Sequence, residues 1–204
     1  MIAPLRPDDP RTIGPYRLSG LLGSGGMGRV FLGLSADGQP AAVRVIRAEL
    51  AADGEFRTRF RLEVAAARKV RGTFAALVVD ADPDGAVPWL ATDYIAGPSL
   101  AEAVDSRGPL PVDEMLRLTA GLAESLIAIH AAGVVHRDLK PSNVLLTDHG
   151  PRVTDFGISW AAWAGAAPGG AFGSPRFMSP EHALGRALGP PSDMFSLGAV
   201  LTFA

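Results

Sequence analysis

The sequence predicts an α+β protein of two lobes, on three observations. Short β-rich runs crowd the front of the chain, one amphipathic helix interrupts them, and helical periodicity takes over after Gly97-Pro98. In order, MIAPLRPDDPRTIGPY is broken by prolines and aspartates, which predicts a flexible leader over residues 1–12. Tyr16 to Leu22, Arg29 to Leu34 and Ala41 to Ile46 read as strands of an antiparallel meander, separated by Gly-rich or Asp-Gly turns. Phe56 to Val70 carries Phe56, Phe60, Val64 and Ala67 at helical spacing, and two further strands follow at Ala76 to Asp80 and Trp89 to Tyr94. Pro111 to Ala131 sets Val112, Met115, Leu118, Leu122, Leu126 and Ile129 on one stripe, predicting a long core-facing helix stopped near Gly133. Short strands at Val144-Leu146 and Arg152-Thr154 complete the pattern, with the break between lobes near residue 96.

Composition narrows the function classes. Of the 204 residues 48% are hydrophobic and 20% charged, enough for a core and far from a disordered chain. A formal net charge of −2 argues against a nucleic-acid partner. The chain has no cysteine, which excludes disulfides and thiolate metal sites, and its four histidines lack ligand spacing. No apolar run approaches the ~18 residues a bilayer span needs, so a cytoplasmic location is expected, with attachment through a segment beyond residue 204 left open. Lys69 and Lys140 are the only lysines beside abundant arginine, the mark of a GC-rich bacterial coding bias.

Three motifs carry chemistry. His136-Arg137-Asp138-Leu139-Lys140-Pro141-Ser142-Asn143 puts a carboxylate, a cation and a carboxamide on one short loop. Phosphoryl transfer needs that set: a base for the hydroxyl, a positive charge for the phosphate and an oxygen ligand for a metal. Asp155-Phe156-Gly157 adds a second carboxylate before a glycine turn. Gly23-Ser24-Gly25-Gly26-Met27-Gly28 lets backbone N–H groups approach phosphate oxygens without Cβ collisions. A dinucleotide fold would need a helix next, yet Arg29-Val30-Phe31-Leu32 reads as a strand; a P-loop would need Gly-Lys-Ser/Thr, which is absent.

Jointly these motifs resemble bacterial eukaryotic-like serine/threonine protein kinases, from about Ile13 to Ala204. The resemblance implies a small β-rich N-lobe with one regulatory helix (13–96, ATP-binding) and a mostly helical C-lobe (97–204) lacking its last helices. It implies Mg·ATP as phosphate donor and protein Ser/Thr hydroxyls as acceptors. Asp138 would orient the hydroxyl proton, Lys140 would stabilise the phosphoryl group, and Asn143 and Asp155 would hold Mg²⁺. Val30 and Ala42 would cover adenine from above and Leu145 from below, with Thr92 as gatekeeper and the Asp93-Tyr94-Ile95 backbone pairing with adenine. His136 is expected to pack beneath the loop, and His130, His149 and His182 to be structural; Asp193 would bond back to the loop backbone.

Three departures qualify the resemblance. Arg44 stands where the family has the phosphate-holding lysine that pairs with the helix glutamate, here Glu63. The planar guanidinium reaches further than an ammonium, and a misplacement near 1 Å costs ~10²-fold in rate, about 2.7 kcal/mol. Weakened catalysis is therefore expected. Trp160 to Phe172 lacks Ser, Thr or Tyr, so the usual phosphorylation switch through Arg137 is not expected, although Ser174 keeps a hydroxyl for Asp138 and Lys140. The chain also stops before the arginine that normally pairs with Glu181, which predicts an unpaired carboxylate and association through exposed apolar C-lobe faces. The alternatives left open are a nucleotide-binding pseudokinase and an inert kinase fragment with an interaction role.

Overall fold

Alternation of apolar and polar side chains builds the first sheet. In the computed structural model of the chain, which describes residues 2–157 and 175–204, it comprises β1 (Thr12–Ile13), β2 (Tyr16–Gly25), β3 (Gly28–Leu34), β4 (Pro40–Ile46), β5 (Val78–Asp82) and β6 (Trp89–Asp93). Their order is β1-β2-β3-β4-β6-β5, antiparallel throughout. Every second residue faces one core: Tyr16, Leu18, Phe31, Ala41, Val43 and Ala91 meet there, and Tyr16 stands edge-on to Trp89 at 5.7 Å. Gly38, at φ 81°, turns the chain from β3 into β4.

Two helices lie between β4 and β5: α1 (Ala48–Ala51) and α2 (Gly54–Ala67). The Asp53 side chain caps α2 by accepting from the Glu55 and Phe56 N–H groups at 2.8 and 3.2 Å. Phe56, Phe60, Val64 and Ala67 form its buried stripe, as their spacing predicts. The helix ends three residues before the expected Val70.

The chain divides into two units, Met1–Arg68 with Leu77–Tyr94 and Lys69–Ala76 with Ile95–Ala204. Sequence pattern alone put a single break near residue 96. Lys69–Ala76 joins the second unit because its backbone pairs there. Ala76 N–H donates to Val153 O at 2.8 Å, Val153 N–H to Phe74 O at 2.7 Å, and Ser125 Oγ to the same carbonyl at 2.7 Å.

That second unit holds α3 (Leu100–Arg107), α4 (Val112–Ala131), the hairpin β7 (Val144–Thr147) and β8 (Gly150–Val153), α5 (Pro180–Ala183) and α6 (Pro190–Phe203). Ser99 and Glu102 close a capping box on α3. Leu118, Leu122, Leu126 and Ile129 of α4 are buried as predicted. Val112 is 74% exposed and Met115 only half-buried, because the packed face of α4 begins a turn later than the periodicity suggests. Gly121 lets α4 approach the hairpin, since a Cβ there would lie 2.5 Å from Pro151. Gly133, at φ 75°, ends α4 by donating to His130 O at 2.9 Å. Leu116 and Ile127 of α4, and Met194 and Phe195 of α6, are exposed.

The leader bonds to the first sheet. Ala3 and Leu21 exchange backbone hydrogen bonds of 2.9 and 2.8 Å, and Asp9 is only 4% exposed. Prolines bar a regular strand without barring single bridges and a buried turn. No helix among the described residues is long and apolar enough to cross a membrane.

Candidate active site

The phosphate-loop candidates lie in the first unit. β2 and β3 are joined by a tight turn at Gly26-Met27, closed by the Gly25↔Gly28 pair. The glycines differ in what they do. A Cβ at Gly28 would lie 1.9 Å from Val45 O, so Gly28 is required by packing against β4. Gly23 and Gly25 have nothing within 4 Å of a Cβ and no positive φ, so nothing in the described protein demands glycine there. Open space beside a bare backbone suits a phosphate-bearing ligand.

Strand register sets the next group. Directly opposed residues share a face, so Val30, Arg44 and Leu90 form one row and Leu32, Ala42 and Thr92 the next. Val30, Ala42, Arg44 and Thr92 therefore share the face opposite the Phe31–Val43–Ala91 core row. Glu63 sits between Phe60 and Ala67 along the buried side of α2, with Oε2 removed from solvent. The Asp93 N–H donates to Leu77 O at 2.9 Å and its carboxylate accepts from Leu77 N–H at 3.0 Å. That donor is engaged within the protein, so adenine pairing would use other backbone groups of Asp93-Tyr94-Ile95.

The chemistry-bearing loop lies in the second unit, between α4 and β7. Asp138 Oδ2 accepts from Lys140 Nζ at 2.6 Å, while Asn143 Nδ2 donates to the Asp138 carbonyl at 2.9 Å. Asp138 Oδ1 carries no hydrogen bond among the described residues and its side chain is 19% exposed, so one carboxylate oxygen can receive a proton. Asn143 is buried in the short 3-10 turn Pro141–Asn143. Thr154 donates to the Asn143 carbonyl through both N–H (2.9 Å) and Oγ1 (3.3 Å), which ties Asn143 to the residue before Asp155. Leu145 is half-buried on β7, where it bridges Ser99.

These residues fit a divalent cation on donor chemistry. With Nδ2 committed to Asp138, the Asn143 amide turns its oxygen elsewhere, and Asp155 would add a hard carboxylate ligand. Among the described residues no three His, Cys, Asp or Glu side chains form a cage.

A buried carboxylate holds this loop. Asp193 of α6, 1% exposed, accepts from His136 N–H (2.7 Å), Arg137 N–H (2.8 Å) and His130 Nε2 (2.7 Å). Arg137 and Asp155 have φ of 68° and 61°, a conformation that costs about 1–3 kcal/mol each outside glycine. The bond to Arg137 N–H offsets part of that strain. His136 is fully buried, and that burial, outweighing the nearby Asp193 charge, pushes it below the usual histidine range. It is neutral, and its Nδ1 accepts weakly from Asp138 N–H at 3.4 Å.

Some functional contacts escaped the sequence. His130 is structural as expected, yet its bond to Asp193 makes it part of the loop's support. Its one sequence signal was a polar side chain next to Ile129 on the inner stripe of α4. Glu181, expected to be unpaired, accepts from Ser192 Oγ at 2.5 Å; that bond first, with backbone hydrogen bonding, holds its carboxyl below the usual range. Lys69 lies beyond α2, past the Arg68 cap. Trp160 to Phe172 and Ser174 lie outside the described residues.

Comparison with known proteins shows the family. The family model described as "Protein kinase domain" matches residues 16–203. The chain is 53% identical over 206 residues to "Probable serine/threonine-protein kinase PkwA" of Thermomonospora curvata, covering 100% of this chain and 28% of that protein. It is 51% identical over 211 residues to "Serine/threonine-protein kinase AfsK" of Streptomyces coelicolor, covering 100% of this chain and 26% of that protein. The chain thus spans about a quarter of the length of these relatives. The crystal structure of the Mycobacterium tuberculosis PknI kinase domain superposes with a TM-score of 0.75 at 30% identity, covering 93% of this chain and 72% of that one.

Proposed function

The chain belongs to the protein kinase domain family as a bacterial serine/threonine-type kinase domain, and from that premise we propose that it transfers the γ-phosphate of Mg·ATP to serine or threonine hydroxyls of proteins. The observation that carries this reading is Asp138, held on Oδ2 by Lys140 and, among the described residues, without a hydrogen bond on Oδ1.

Asp138 Oδ1 takes the proton of the incoming hydroxyl as its oxygen bonds to the γ-phosphorus and ADP leaves. Lys140 keeps that carboxylate oriented and brings positive charge to the transferring group. Asn143 and Asp155 are the residues that would hold Mg²⁺, whose chemistry is neutralisation of phosphate charge. Backbone at Gly23, Ser24, Gly25, Gly26 and Met27 covers the phosphates, and Gly28 keeps that turn seated on β4. Val30 and Ala42 pack on adenine, and Arg44, with Glu63 as its helix partner, supplies the charge on the remaining phosphates. ATP as donor fits a cytoplasmic site of action, and the exposed Leu116, Ile127, Met194 and Phe195 support association through those helix faces.

Single-turnover transfer from labelled Mg·ATP to the chain itself and to a generic Ser/Thr substrate tests the proposal. Transfer that disappears in Asp138→Asn supports it, whereas transfer indifferent to that change would sink it. Arg44 favours a second reading, a nucleotide-binding pseudokinase. Thermal stabilisation by Mg·ATP without transfer, restored by Arg44→Lys, would select that reading.

A further inference from the structure

The leader reaches the back of the phosphate loop. Ile2 and Ala3 run along the outer side of β2: Ala3 and Leu21 bond both ways, and a Cβ at Gly20 would lie 2.4 Å from Ile2 Cγ2. Gly20 is therefore shaped to the leader, not to the sheet. Leu21 lies between two register irregularities of β2, Leu18/Gly20 and Leu21/Gly23, so the leader grips the strand where its own ladder is interrupted.

A turn then returns the chain. Asp9 Oδ2 accepts from Arg6 N–H at 2.8 Å, and Asp9 N–H donates to Arg6 O at 3.1 Å. The Asp9 side chain is fully buried, and its Oδ1 accepts from the Arg29 guanidinium. Arg29 opposes Ser24 in the β2–β3 register, one pair below the Gly25↔Gly28 closure, and its guanidinium lies 5.3 Å above the Phe31 ring. A buried carboxylate without its cation is costly, so the pair has one stable arrangement. That arrangement locks the base of a glycine turn in which a Cβ at Gly23 or Gly25 would meet nothing within 4 Å.

We propose that Asp9 is a positioning residue: through Arg29, and from the face opposite the nucleotide, it holds the phosphate loop in its binding conformation. The effect on ATP rests on the kinase reading above; the effect on the loop does not. Asp9→Asn and Arg29→Gln in the full chain should each speed amide exchange in residues 23–28 without nucleotide, leaving β4 amides unchanged. Gly20→Ala, which displaces Ile2, should do the same. KM for Mg·ATP should rise about fivefold, the scale of one lost hydrogen bond, with kcat changed by less than about twofold. The double variant Asp9→Asn/Arg29→Gln should be no worse than either single one. Additive effects, or a lower Tm with loop exchange unmoved, would overturn the proposal. Loop exchange that responds while the unmodified chain neither binds nor turns over ATP would support the clamp and defeat the kinase reading.

Discussion

On the proposed kinase reading, Asp138 and Arg44 are the residues on which activity turns. Asp138→Asn removes the proton acceptor while keeping the shape, and kcat should fall by about 10²–10⁴-fold in single-turnover transfer. Arg44→Lys restores a compact ammonium on the face shared with Val30 and Ala42 and should raise turnover by up to ~10²-fold, read as kcat against the unmodified chain. The grouping of Asp138, Lys140 and Asn143 was legible in the sequence because they share one short loop. Asp193 was legible only by resemblance, and Ser192, Asp9 and Arg29 not at all, since their partners lie 11 to 63 residues away in sequence. A hydrogen bond across such separations leaves no periodic trace.

At the scale of elements, the β2–β3 turn separates two uses of glycine that one motif conflates. Gly28→Ala pushes a methyl against backbone of β4 and should destabilise the chain by about 1–3 kcal/mol in denaturant unfolding. Gly25→Ala meets open space, so its Tm should stay close to that of the unmodified chain while KM for Mg·ATP rises. A matching loss at both positions would refute the distinction. Strand positions were read well from alternation, each boundary falling within a few residues, because a half-buried sheet imposes a period of two. The start of the packed face on α4 was misread at Val112, where helical period continues into solvent. The leader's bridge to Leu21 left no signal because a bridge made by one residue has no period.

For the whole molecule, pH and ligand set stability. His136 and His182 are both held below the usual histidine range, chiefly by burial. Folding therefore favours their neutral forms. The associated stability is full above the unfolded value and is lost as pH falls through about 6.5 toward the lower folded values. Unfolding midpoints measured from pH 7.5 downward should show that decline, flattened in a folded His136→Gln variant. Saturating Mg·ATP should raise the midpoint, by about 2.7 kcal/mol of stability at a hundredfold excess over Kd. An unchanged midpoint would count against nucleotide binding.

Asp193 also has a consequence for how the molecule is made. Three donors from His130, His136 and Arg137 converge on a side chain that the ribosome delivers more than fifty residues after the loop it holds. Until α6 has emerged, the strained Arg137 backbone lacks its acceptor, and the nascent loop carries its whole motif without the geometry. The geometry of the loop therefore waits on the docking of the helix that carries Asp193.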